Sequence, residues 1–127
     1  MDKKKMKLNE ALISKQRQSL EKREATYFAQ LCINLFDEVK EQYDIMEDDD
    51  MDEGLTINIS QHAKTLLKLM DNYTMFMNYN NSDYQLLKKA LNFFANTKEY
   101  TRPILLVQAG NLNDCIENIS DTYGLNV

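Results

Sequence analysis

No glycine or proline occurs between Lys7 and Tyr43. Those two residues are the strongest local breakers of a helix, so nothing in this run obliges the chain to turn. Its apolar residues fall at helical spacing: a sparse stripe at Leu8, Leu12 and Leu20, then a dense one at Phe28, Leu31, Cys32, Leu35, Phe36, Val39 and Tyr43. The pattern predicts one helix, which would be about 55 Å long if continuous. A compact domain of 127 residues is only about 36 Å across. Either the N-terminal half projects and packs on something else, or the helix breaks near Ser14–Ser19.

The rest of the chain reads as helices separated by short punctuation. Glu47-Asp48-Asp49-Asp50-Met51-Asp52-Glu53-Gly54 has a density of like charge that predicts a solvated loop. Leu55-Thr56-Ile57-Asn58-Ile59 alternates apolar and polar residues, but a lone short strand has no partner, so an extended lead is expected. Ser60 is the expected N-cap of a second helix with Ala63, Leu66, Leu67, Met70, Tyr73 and Met77 inward. Asn78 to Asn81 form a turn, and Asn81 or Ser82 caps a third helix with Tyr84, Leu87, Ala90, Leu91 and Phe94 inward. Thr101-Arg102-Pro103 opens a fourth, with proline in the first turn, where its missing N–H is harmless. Leu112, Cys115, Ile116, Ile119 and Tyr123 continue it, Gly110 bends or splits it, and Gly124 stops it. The expected fold is all-α: a compact bundle of about four helices with a long N-terminal helix, and more than half the residues helical. The expected organisation is a basic helical arm over 1–26 and a helical bundle domain over 27–127, with an acidic loop over 44–54.

At 43% apolar and 28% charged residues the composition is globular, and no apolar run approaches a membrane span. Met1 opens onto Asp2-Lys3-Lys4-Lys5 with no apolar region after it, which reads as no signal peptide. A cytoplasmic protein is expected, or one inside a host cell or virion if viral. The abundance of Asn and Lys, with no Trp and one Pro, is the bias of an AT-rich coding genome, as in some bacteria and many phages. In a reducing compartment Cys32 and Cys115 read as two buried thiols. The Asn-X-Ser/Thr triplets at Asn58, Asn72, Asn80 and Asn118 then carry no glycosylation.

The usual catalytic and ligand patterns are missing. His62 is the one histidine, and no His or Cys follows it at i+3 or i+4. The three glycines are isolated, so no phosphate-cradling loop forms. Aligning Asp48, Asp50 and Asp52 with the first calcium ligands of an EF-hand puts Glu53 where glycine is required and Ile59 where the bidentate glutamate is required. The reading is a protein that is not an enzyme, with no catalytic residue, no metal, no cofactor and no small-molecule substrate.

Charge is segregated. Residues 1–26 carry eight Lys/Arg against four Asp/Glu, 27–53 carry one against ten, and 54–127 carry six of each. Lys3, Lys4, Lys5, Lys15 and Arg17 in the arm, with Asp114, Glu117 and Asp121 as a carboxylate stripe near the C-terminus, are the candidate charge contacts. The candidate apolar contacts are Leu8, Leu12 and Leu20 on the first helix, and Leu69, Met75, Phe76 and Tyr79 on the outer faces of a second helix that is apolar nearly all round. The function expected is a protein–protein interaction or structural and assembly role, as an oligomer or with a protein partner, a viral accessory component being one instance. The alternative is a nucleic-acid-binding regulator using the basic arm, although that arm has no aromatic residue before Tyr27 to stack a base. No membrane partner is expected.

Overall fold

The computed structural model describes residues 3–48 and 50–126, with side chains from Asn9 onward. It is 86% helical, against roughly a third in ordinary soluble domains. Four α-helices and no strand occur among the described residues: α1 over Lys3–Ile45, α2 over Glu53–Asn72, α3 over Asn81–Asn96 and α4 over Arg102–Tyr123. Short 3-10 turns follow α1 at Met46–Asp48 and α2 at Thr74–Phe76. The first helix is continuous through Ser14–Ser19, and its 43 residues make it roughly 65 Å long.

The core forms where α1 meets the other three helices. Phe28, Cys32, Leu35 and Val39 supply its buried row on α1; Ile59, Ala63, Leu66 and Met70 face it from α2. Leu87, Leu91 and Phe94 come from α3, and Leu105, Leu112 and Ile119 from α4. The last helix runs antiparallel to α1. At one end Arg102 Nε donates to the Tyr43 carbonyl (3.1 Å), with its guanidinium 4.0 Å from the Tyr43 ring centre. At the other end Tyr123 and Glu24 meet over one residue, Met75. Its carbonyl accepts from the Tyr123 hydroxyl, and its N–H donates to the Glu24 carboxylate (2.8 Å).

The caps explain the helix boundaries. Thr101 Oγ1 caps α4, with Pro103 in its first turn, and Gly124 ends it at φ 63°, a left-handed conformation that favours glycine. Gly110 does not split it.

Three expectations are corrected. The second helix starts at Glu53, not after Ser60, because the Asp52 carboxylate accepts from Leu55 N–H (2.8 Å) and caps it there. Leu55 and Ile59 are therefore one helical turn apart, and Ser60 is interior, its hydroxyl donating to the Ala95 carbonyl (2.7 Å). The same helix ends at Asn72 rather than reaching Met77, because Tyr73 is extended (φ −81°, ψ 131°). This reversal turns Met77 outward, 78% exposed, and turns Met75 and Phe76 inward. Finally, Asn80 caps α3 rather than Asn81 or Ser82, accepting from Asp83 N–H (3.1 Å).

Among the described residues, Gln42 is the one fully buried polar side chain. Its amide nitrogen donates to Thr56 Oγ1 (2.8 Å) and, at longer range, to the Asp52 carbonyl (3.3 Å) and Tyr100 hydroxyl (3.5 Å). Its oxygen accepts from Asp52 N–H (3.1 Å). This side chain joins the end of α1, the cap of α2 and the entry to α4.

Candidate interaction surface

Every residue from Asn9 to Leu20 is exposed, so this length of α1 leaves the body of the protein. Leu12, Ile13 and Leu20 are 51%, 58% and 40% exposed. At 100° per residue their stripe is turned by roughly 110° from the row Phe28, Cys32, Leu35 and Val39 that enters the core. Followed along the helix, the stripe leads to exposed Tyr27 instead. The body packs on a different face of α1 and leaves these residues uncovered. Lys15 and Arg17 are exposed on the same arm, and Lys22 and Arg23 at its root. Leu8 and Lys3, Lys4 and Lys5 lie outside the residues whose side chains are described.

One carboxylate fixes the root, and a second is partly buried beside it. Glu24 accepts from the N–H groups of Thr74 (3.3 Å) and Met75 (2.8 Å), satisfying free donors at the start of the 3-10 turn. Glu21 has one carboxylate oxygen buried with no hydrogen-bond partner.

The aromatic residues assigned to the far side of the second helix form a cluster here. Phe76 packs edge-on against Phe28 (5.1 Å between ring centres), Tyr79 (5.5 Å) and Tyr84 (5.7 Å). Tyr79 stacks on Tyr123 (6.3 Å), and its hydroxyl donates to Asn118 Oδ1. Phe76 and Met75 are therefore core residues, while Leu69 and Tyr79 are half-buried. Of the contacts expected from sequence on the second helix, none is a freely exposed side chain. The exposed apolar residues outside the arm include Met77, Leu86, Ile104, Leu106 and Val107.

A groove of about 640 Å³ runs between α1 and α4. Ile33, Phe36, Ile116 and Leu125 supply its apolar lining, and Glu117 and Asp121 its charge; no cation lines it. Asp114, Glu117 and Asp121 are all exposed, as are Asp37, Glu41 and Asp44 on α1. A second crevice, of about 390 Å³ between α3 and α4, is lined by Tyr79, Asp83, Lys89, Asp114 and Cys115 among others.

Burial drives the shifted ionisations. Cys115 is pushed up to about 11 by burial and then by Asp114 and Asp83. Tyr123 is pushed up to about 12 by burial and then by Glu21 and Glu24. Burial also pushes Cys32, Tyr73 and Tyr79 up. Both thiols stay protonated at neutral pH, the opposite of what a nucleophile or metal ligand needs. Cys32 is buried and Cys115 half-buried, and they are not bonded to each other. His62 is exposed and pairs through Nδ1 with Glu38, an α1–α2 surface contact. No group of three or more His, Cys, Asp or Glu that could hold a metal occurs among the described residues. No helix among them is long and apolar enough to cross a membrane.

No family model, curated protein or solved structure matches this chain.

Proposed function

We propose that this chain is a non-catalytic helical interaction protein that acts by binding another protein or a second copy of itself through the first turns of α1. The observation that carries the reading is the arm itself: an unbroken helix in which every residue from Asn9 to Leu20 is exposed, with Leu12, Ile13 and Leu20 uncovered. An isolated helix of this length is marginal in water, and most helical stability in proteins comes from packing of an apolar face. A partner that covers the stripe supplies that packing, at roughly 1.5–3 kcal/mol for each large side chain fully buried. The protonated thiols support a reading without catalysis. A scaffold or assembly component, viral or otherwise, fits this behaviour.

Leu12→Asp with Leu20→Asp tests the reading. Both positions are exposed, so helical content and unfolding midpoint should hold. Association, measured by light scattering and by pull-down with wild-type bait, should fall. An unchanged association profile would overturn the role of the arm.

The second reading is nucleic-acid binding, favoured by exposed Lys15, Arg17, Lys22 and Arg23. It predicts binding that weakens steeply with salt. Fluorescence anisotropy with labelled duplex and single-stranded DNA separates the two.

A further inference from the structure

We propose that the groove between α1 and α4 receives the basic N-terminal arm of a second copy of this chain, and that two copies exchange arms reciprocally. The inference rests on the reading of the arm as a binding element and names its partner.

Three observations select this occupant. The first is charge. The arm and its root expose Lys15, Arg17, Lys22 and Arg23, whereas the groove is lined by Glu117 and Asp121 and by no cation. Such a rim repels a nucleic acid and attracts a basic helix. The second is apolar match. The stripe Leu12, Ile13 and Leu20 has no cover on its own body, and the groove leaves Ile33 and Phe36 of α1 partly open. The third is length. The projecting part of α1 from Lys3 to Leu20 is about 27 Å long, and α4, which forms one wall, is about 33 Å.

Symmetry closes the pair. In a two-fold pair each copy presents its arm to the other's groove. Such a self-complementary contact ends at two copies instead of growing into a filament.

The test uses two charge-reversed full-length variants. Glu117→Lys with Asp121→Lys makes the groove basic. Lys15→Glu with Arg17→Glu makes the arm acidic. All four positions are exposed, and circular dichroism should confirm that both variants keep the wild-type helical content. Each variant alone should self-associate about tenfold or more weakly than wild type in sedimentation equilibrium. Mixed, they should form a heterodimer, because each basic arm meets an acidic groove and each acidic arm a basic groove. A wild type that self-associates while the variants do so equally well overturns the groove and leaves the arm's binding role standing. Failure of the mixed variants to recover also overturns the groove. A monomeric wild type at several hundred micromolar overturns reciprocal exchange, and the pull-down with Leu12→Asp then decides the broader reading separately.

Discussion

Replacing Gln42 with leucine removes the polar joint of the fold while keeping its approximate volume. The amide makes two well-formed hydrogen bonds, to Thr56 Oγ1 at 2.8 Å and from Asp52 N–H at 3.1 Å, and two longer ones. Each good bond is worth about 0.5–1.5 kcal/mol net, and an orphaned buried donor costs about 1–3 kcal/mol. Thr56 Oγ1 still donates to the Asp52 carbonyl, so the groups left without their partner are the Asp52 N–H and, at longer range, the Tyr100 hydroxyl. Leucine returns some apolar burial, and the balance is a loss of about 2–4 kcal/mol. For a chain of this length, about 3 kcal/mol lowers the thermal midpoint by roughly 10 °C. Calorimetry or thermal circular dichroism reads that shift directly. A Gln42→Leu protein as stable as wild type would show that the interior there is held by packing alone and refute the hydrogen-bond assignment.

Other perturbations have opposite or separable signs. Gly110→Ala should raise stability by about 0.5–1 kcal/mol, since the position is helical and open. Gly124→Ala should lower it by about 1–2 kcal/mol, since an added Cβ opposes the left-handed cap; urea midpoints check both. Glu24→Ala should cost about 1.5–3 kcal/mol through the freed Thr74 and Met75 N–H groups, with faster hydrogen exchange at those amides as the local signature. Stability should also fall in alkali. Cys115 and Tyr123 have folded pKa values raised to about 11 and about 12 from 9.0 and 10.0, so their contribution is complete below pH 9 and lost as pH climbs through 12. Denaturant titrations that stay flat from pH 8 to 12 would oppose this.

The sequence makes the fold visible wherever the signals are local. The glycine- and proline-free run gives α1, and Thr101-Arg102-Pro103 with Gly124 bounds α4 on both sides. The start of α2 is not legible from charge density, since Asp52 and Glu53 belong to a run of like charge. At a helix N-terminus a carboxylate is a cap and favours the dipole, and Leu55 with Ile59 reads equally well as one turn of helix or as strand alternation. The reversal at Tyr73 has no local breaker behind it. It is held by Glu24, 50 residues earlier, whose carboxylate meets Thr74 N–H only after folding. For that reason helical spacing places Met75 and Phe76 on outer faces while the fold buries them, and Phe76→Asp should unfold the body where a surface substitution would not. The exposed arm follows from length alone. The groove does not, because Ile33 and Ile116 come together only once α4 packs antiparallel to α1; its two carboxylates were nonetheless visible as a stripe.

Amide hydrogen exchange across Asn9–Leu20, followed as the protein is concentrated, tests the binding role of the arm most directly. A projecting helix with no cover opens readily and exchanges fast, whereas one buried against protein is protected. Protection of these amides should rise between low and high micromolar protein, while that of Phe28 to Val39 stays constant. Fast exchange of Asn9–Leu20 at every concentration, with a single-chain mass by light scattering and no partner retained in a pull-down, would contradict the arm's role as a binding element.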